Sequence, residues 1–314
     1  AYPGNTFFGS YVYSWGKKKW EFELSGTANL NLSDNKTDNQ NRIEKISTNQ
    51  LLTNNLNKVT NQGNSLVIGN GFESKLKLDS AGSEWTSQFF YYYSNNKNTQ
   101  AYDTRYSNPI SFTNAGDGTM DNHRDLLSGR TDLKLKMKNR FTFESGLKST
   151  LHLFNNNTLF YIESNGNRVP DAGRTNRFRY KENINSAYAQ GSKTMGKDIV
   201  LKFGTRLENT NMRGNQEIPS DTSFAIHRTD LFPYVFLSKS LMKIAGYDLR
   251  AYLVYRRTIT RPVYEQLNPF SRYVDAYLSE VGNPGLRPQF TRNYEANISV
   301  DERPILAIGV NDTK

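Results

Sequence analysis

The chain contains no cysteine, which excludes disulfide bonds, cysteine-bound metals and a cysteine nucleophile. It also lacks any apolar run near the ~18 residues that a membrane-spanning helix needs. Apolar residues make up only 36% of the chain, although aromatic residues reach 13%, and the mean hydropathy is −0.72. A β-strand that crosses a membrane shows lipid only every second residue, so such a protein reads as hydrophilic on average. The low hydropathy therefore still allows a membrane protein built from strands.

The net charge of +10 comes from lysines and arginines that are scattered along the chain. A nucleic-acid-binding protein usually concentrates such residues in a dense basic block. We therefore predict no nucleic-acid partner.

Strict alternation of apolar and polar residues identifies the strands. In segment 20–32, the side chains from Trp20 to Leu32 at even positions are apolar or small, and those from Glu21 to Asn31 at odd positions are polar. This period of two continues beyond ten residues, which is long enough to cross a bilayer at the tilt of a barrel strand. Soluble strands average only ~5–6 residues.

The same pattern recurs along the chain and predicts about twelve strands separated by alternately short and long connections. The predicted strands cover residues 5–14, 18–32, 65–79, 84–96, 127–138, 140–155, 178–191, 197–212, 228–241, 247–260, 288–300 and 304–312. The predicted long polar loops cover residues 33–64, 97–126, 156–177, 213–227 and 261–287.

Short connections on one side and long ones on the other are typical of outer-membrane barrels, with the short turns in the periplasm. We therefore predict an all-β fold, a transmembrane antiparallel outer-membrane β-barrel in the bacterial outer membrane, in contact with its lipids. The first predicted strand runs toward the periplasm. We expect at least one strand before it, although twelve strands could also close into a small barrel.

The last sixty residues contain Leu267-Asn268-Pro269-Phe270, Gly282-Asn283-Pro284-Gly285-Leu286-Arg287-Pro288-Gln289 and Asn293-Tyr294-Glu295. With these motifs they resemble the barrels of TonB-dependent receptors, particularly the outer membrane protein beta-barrel family of Bacteroidetes. The usual family pattern after a long external loop is G-N-P-x-L-x-P-E, followed by a strand with N-Y-E; Gln289 replaces the final Glu of the first motif. Prolines 284 and 288 cannot donate to a sheet ladder and mark where the loop re-enters a strand. The motif residues, for which a structural role is expected, are Asn268, Pro269, Phe270, Gly282, Asn283, Pro284, Leu286 and Pro288.

This resemblance implies a barrel of about 22 strands, plugged from inside, of which the chain would form about strands two to thirteen. The family resemblance of the last sixty residues thus implies that residues 1–314 form a partial barrel domain without a plug domain. It also implies a plug domain and a TonB-type energy coupler outside this chain, and a surface lipoprotein as a possible partner. The implied function is uptake of a bulky nutrient, such as a siderophore, a glycan or a peptide. The alternative is a barrel that scaffolds a surface or secretion complex without import.

Candidate ligand contacts are aromatic and basic residues of the predicted external loops, because they bind sugars, siderophores or peptides by stacking and hydrogen bonding. These residues are Tyr102, Tyr106, Tyr264, Arg272, Tyr273 and Tyr277. The three histidines, His123, His152 and His227, belong to no catalytic motif. We therefore expect no enzymatic activity, no cofactor and no catalytic metal.

One loop stretch, residues 114–125, is rich in oxygen ligands but lacks the spacing of a calcium-binding loop. The sequence leaves calcium binding there open.

Overall fold

The computed structural model describes residues 4–164, 166–196, 198–244, 246–270, 272–273, 279–300 and 303–314. Within these ranges the chain is almost entirely β-strand, with one short helix, α1 (Tyr264–Leu267). None of the helical structure described is long and apolar enough to cross a membrane.

The strands are antiparallel and, for the most part, pair with their neighbours in the chain. Their bounds are β1 Gly4–Lys17, β2 Trp20–Lys45, β3 Gln50–Lys77, β4 Glu84–Asn108, β5 Phe112–Met137, β6 Phe141–Ser164, β7 Asn167–Pro170, β8 Asn176–Met195, β9 Ile199–Ile218, β10 Thr222–Ile244, β11 Tyr247–Thr260, β12 Arg272–Tyr273, β13 Ser279–Glu280, β14 Gln289–Val300 and β15 Arg303–Thr313. Thirteen of them form one sheet in the order β1-β2-β3-β4-β5-β6-β8-β9-β10-β11-β14-β15, with β7 paired to β6, while β12 and β13 form a separate pair.

All twelve predicted strands are present in this sheet, and the short connections also lie where they were predicted. Asn139 (φ 60°) and Arg140 (φ 56°) both adopt positive φ between β5 and β6. Two successive residues with positive φ match the right-handed twist of a two-stranded hairpin. Gly82, Gly196 and Gly246 supply positive φ at three other short connections.

The predicted long loops are mostly wrong as loops. Residues 33–64, 97–126 and 213–227 lie largely in extended hairpins of β2–β3, β4–β5 and β9–β10, which turn over only a few residues. Segment 156–177 is partly strand as well, whereas 261–287 is a true excursion that carries α1, β12 and β13. Beyond the lipid both faces of a strand meet water. The apolar alternation therefore ends there, although the hydrogen-bonded ladder continues.

The strands of the sheet are staggered, so that residues paired in one row lie at different distances from the starts of their strands. One row runs from Leu24 in β2 through Phe72, Phe89 and Gly129 to Asn209 in β9. Leu24 lies four residues after the start of β2, whereas Asn209 lies ten residues after the start of β9. Such a stagger is what tilted barrel strands require.

The two faces of the sheet differ in polarity. Many large apolar side chains on one face are exposed, among them Phe89, Leu147, Phe203 and Leu253. A water-facing surface of this size would be unfavourable, so this face suits lipid. The opposite face carries the polar residues and one buried apolar cluster.

Candidate functional site

The candidate site is built on the polar face by residues 261–288, called the inner segment here, of which 271 and 274–278 lie outside the described residues. Leu267 of α1 is fully buried. It packs in one cluster with side chains of three strands, namely Phe154 of β6, Phe178 and Tyr180 of β8, and Met212 of β9. Burying such side chains stabilises a contact by about 1.5–3 kcal/mol each, so this cluster holds the inner segment against the sheet.

An aromatic and cationic contact lies beside the cluster. The ring of Tyr264 lies 3.9 Å from the ring of Phe154, measured between centroids. The guanidinium of Arg124 lies 5.2 Å from the Tyr264 ring and 5.4 Å from the Phe154 ring. Burial, together with a hydrogen bond to Glu265, raises the pKa of Tyr264 to about 12. This hydroxyl is therefore protonated and can donate a hydrogen bond at neutral pH.

A buried ion pair anchors the beginning of the inner segment. The guanidinium of Arg261 contacts the carboxylate of Glu208 in β9 and donates from Nη2 to Thr210 Oγ1 at 3.2 Å. Arg206 Nε lies 3.3 Å from the same carboxylate. Burial lowers the pKa of Arg261, although an arginine remains charged at neutral pH. Removing one partner of such a pair leaves a buried charge uncompensated, which is strongly destabilising.

The family motif closes the inner segment on itself. The amides of Gly282 and Asn283 donate to the carbonyl oxygens of Asn268 (2.9 Å) and Gln266 (2.6 Å), at the end of α1. Asn268 Oδ1 accepts from the Phe270 amide at 3.1 Å. Asn283 Oδ1 likewise accepts from a glycine amide two residues later, at 2.8 Å. The two halves of the motif, distant in sequence, thus supply partners for backbone groups that the short helix leaves unpaired.

Two of the predicted ligand residues, Tyr102 and Tyr106, lie on strand β4 instead of in a loop, because the ladder extends beyond the lipid-facing stretch. Tyr102 is buried on the polar face, with the guanidinium of Arg174 4.7 Å from its ring. Tyr106 stacks on Phe112 at 4.3 Å. Their neighbours differ from those of Tyr264, so the structure does not gather these three tyrosines into one mouth.

Three of the predicted contact residues, Arg272, Tyr273 and Tyr277, belong to the middle of the inner segment. Arg272 and Tyr273 form strand β12, which pairs with β13 inside the inner segment. Tyr277 lies outside the described residues. A role in ligand binding stays a prediction for all six residues.

The stretch considered for calcium, residues 114–125, is part of strand β5 and not a loop. Its Asp117 forms an ion pair with Arg168 Nη2 at 2.7 Å, and no cluster of three or more potential metal ligands is present among the described residues. The histidines have polar or aromatic neighbours: His123 bonds Asp125 at 2.7 Å, His227 bonds Asn211 at 2.8 Å, and His152 meets the edge of Tyr180.

Sequence reasoning missed the residues that hold the inner segment. Arg124, Glu208 and Arg261 are ordinary charged residues in the sequence, and only the fold brings them together. Arg261 stands immediately before Pro262, where the strand ladder ends, which is the one local sign that its side chain leaves the sheet.

Comparison with known proteins identifies the family to which the chain belongs. No curated protein matches it significantly. One similar solved structure is the alcaligin outer membrane receptor FauA from Bordetella pertussis, with a TM-score of 0.39 and 12% sequence identity. That match covers 100% of this chain and 51% of that chain, so the chain spans about half the length of the receptor. The model of the outer membrane protein beta-barrel family matches residues 76–314, about three quarters of the chain. The chain therefore belongs to the outer membrane protein beta-barrel family.

Proposed function

We propose that this outer-membrane barrel takes up a bulky nutrient, such as a siderophore, a glycan or a peptide, as TonB-dependent receptors do. The observation that carries the proposal is the inner segment, which is packed onto the polar face by a buried cluster around Leu267. In a barrel the polar face lines the lumen. A long segment folded against that wall narrows the entrance and offers side chains to a ligand.

The length of the barrel strands supports the same proposal. Strands β2 to β6 are 26, 28, 25, 26 and 24 residues long, whereas a tilted strand needs only ~9–11 residues to cross the membrane. The surplus forms a tall rim of paired hairpins above the bilayer. A rim of this kind encloses a vestibule large enough for a solute that cannot pass a narrow pore.

Energy for release of the nutrient would come from a TonB-type coupler acting on a plug domain, both outside this chain, and a surface lipoprotein would assist capture. We propose no catalytic step. The aromatic and cationic groups around Tyr264 and Arg124 suit stacking and hydrogen bonding with a ligand.

The second candidate is a barrel that scaffolds a surface or secretion complex. The paired hairpins favour it, because rigid, tall hairpins present a wide surface to another protein. The two functions differ in their need for energy and in their cargo.

An uptake assay in intact cells distinguishes the receptor function from the scaffold function. Cells producing the full-length protein are given a labelled ferric siderophore, an oligosaccharide and an oligopeptide, with and without an uncoupler of the inner membrane. Energy-dependent accumulation of one probe supports the receptor. If accumulation of every probe is unaffected by loss of the protein while surface proteins co-purify with it, the scaffold is correct.

The inner segment is tested within the same assay. Leu267→Ala removes a fully buried side chain and should cost about 2–5 kcal/mol of docking energy, so uptake should fall by about tenfold or more. Val281→Ala is the matched control, since Val281 belongs to the same segment but is 65% exposed. Equal uptake by both variants and the unaltered protein would contradict a role for the docked segment.

A further inference from the structure

Two cations stand directly opposite each other on the lipid-facing side of the sheet. Lys181 of β8 is the register partner of Arg213 of β9, and both side chains are exposed. Their neighbours in the same row are Leu153 of β6 and Ala225 of β10, which carry no charge. Directly opposed like charges destabilise a strand pair. Within the described part of the chain, neither cation forms an ion pair.

Two more cations continue this cluster upward along β8. Arg177 and Arg179 share a single acid, Glu217, at 3.6 Å and 3.2 Å. The four cations thus share one carboxylate, and the surplus of positive charge is concentrated at Lys181 and Arg213. We call Arg177, Arg179, Lys181 and Arg213 the basic cluster.

Two other cations on this face, by contrast, lie opposite acids. Lys58 of β3 is the register partner of Asp38 in β2 and of Asp103 in β4. Lys97 of β4 is opposite Asp121, with Nζ 3.6 Å from its carboxylate. Lys181 and Arg213 lack the acidic register partners that Lys58 and Lys97 have.

The basic cluster begins at the level of the outer membrane surface. Lys181 lies fourteen residues along β8 from Met195, and Arg213 lies fourteen residues along β9 from Ile199, where each strand reaches a short turn. At ~3.3 Å per residue and a tilt of ~40°, these side chains stand roughly 35 Å above the turns. The apolar band of a barrel is only ~25 Å tall, which places Lys181 and Arg213 in the headgroup layer.

An apolar groove of about 730 Å³ lies below the cluster on neighbouring strands. Phe72, Phe89, Leu147 and Leu207 line it, and Gly129 leaves its centre open, because a Cβ at that glycine would meet nothing within 4 Å.

Polar side chains separate the groove from the cluster. Ser149 donates to Asn185 at 2.7 Å, and Asn209 lies beside Asn185 in the same row. Going outward along β8 and β9, the surface thus changes from apolar to hydrogen-bonding to cationic.

We propose that this surface is a binding site for one anionic lipid of the outer leaflet. An acyl chain lies in the groove at Gly129, the polar backbone of the lipid meets Ser149, Asn185 and Asn209, and a phosphate is held by Lys181 and Arg213. The bound phosphate supplies the negative charge that the opposed cations lack. The site is on the outer side of the sheet, away from the inner segment, and goes beyond nutrient uptake.

Native mass spectrometry tests the site in the full-length protein purified from outer membranes and stripped of lipid. The probes are phosphatidylglycerol and phosphatidylcholine with identical acyl chains, and inorganic phosphate is added separately as a competitor. The unaltered protein should retain phosphatidylglycerol preferentially. The double variant Lys181→Gln/Arg213→Gln should weaken its retention by about tenfold or more, since each cation near a membrane surface contributes substantially to attraction of anionic lipid. Gly129→Trp, which fills the groove, should weaken retention of both lipids.

Lys58→Gln is the matched control, because it removes a cation of the same face that already has acidic neighbours. Circular dichroism of every variant confirms that the strands have formed. The proposal is overturned if the unaltered protein does not distinguish the two lipids, or if Lys58→Gln weakens retention as much as the double variant. Displacement of the lipid by inorganic phosphate would assign the cations to a free anion, and an unchanged Gly129→Trp variant would exclude the groove. Uptake assays are not needed, so failure here is separate from failure of the proposed receptor function.

Discussion

Gly282 is the residue at which the inner segment tolerates no side chain. A Cβ at this position would lie 2.4 Å from the carbonyl oxygen of Asn268 and 2.7 Å from those of Gln266 and Glu265. All three atoms belong to the backbone and cannot turn aside. The amide of Gly282 also makes one of the bonds that join the two halves of the motif.

We predict that Gly282→Ala detaches the loop from the end of α1 and makes the inner segment sensitive to protease. Limited proteolysis of the purified full-length protein measures the change. Gly9→Ala is the control, because a Cβ there meets nothing within 4 Å. Equal cleavage rates in both variants would show that the contact at Gly282 does not hold the segment.

Docking of the inner segment should also depend on pH through Tyr264. The pKa of this hydroxyl is raised to about 12, first by burial and then by Glu265, while nearby Arg124 opposes the shift. A tyrosine in the undocked segment titrates near ~10. The stabilisation is therefore fully present below pH ~10 and is lost as the pH rises toward 12, since the undocked form ionises first.

The cysteine-free chain permits a direct measurement of this effect. A polarity-sensitive dye on Gln266→Cys, an exposed position of α1, should report release of the segment between these pH values. The same labelled protein with Tyr264→Phe should lose that transition. A transition that persists in the phenylalanine variant would assign it to another group.

At the scale of the elements, the hairpins are the main finding. The β2–β3 ladder continues without a long interruption from Trp20↔Leu76 to Lys45↔Gln50, far beyond the stretch in which apolar side chains alternate. Asn, Thr, Gln and charged residues dominate the upper part. Their alternation carries no apolar signal, because both faces meet water there.

Labelling tests the direction of these hairpins. We predict that Thr48→Cys, at the tip of β2–β3, reacts with a membrane-impermeant maleimide in intact cells. Lys138→Cys, at the short turn between β5 and β6, should react only after the outer membrane is permeabilised. Both positions are exposed, so accessibility alone cannot cause a difference. The reverse order of labelling would place the long hairpins in the periplasm.

At the scale of the whole molecule, the two faces of the sheet meet different surroundings. Phe203 on β9 is 53% exposed and lies in a row with Val235 and Gly191. The preceding residue, Lys202, points to the opposite face. Because successive side chains of a strand point to opposite faces, consecutive residues face lipid and water in turn.

We predict that Phe203→Arg reduces the amount of protein assembled in the outer membrane, because a charge on the lipid face costs about 2–4 kcal/mol at the midplane. Lys202→Gln should leave assembly unchanged, since its side chain faces the lumen. Immunoblotting of isolated outer membranes gives the assembled fraction. Equal losses in the two variants would mean that the apolar face is not in contact with lipid.

The sequence by itself determined the fold class, the positions of the twelve main strands and the short turns, because the alternation of polarity and the residues with positive φ act over a few neighbouring positions. It also carried the family motif from Asn268 to Pro288. The tertiary structure decided how far the strands extend and which residues hold the inner segment. Backbone pairing above the membrane leaves no trace in hydropathy. The contacts of Arg261 with Glu208 and of Leu267 with Phe154 depend on how the inner segment packs on the sheet, and the pairing of Lys181 with Arg213 depends on strand register. Both bring together residues that are far apart in the chain.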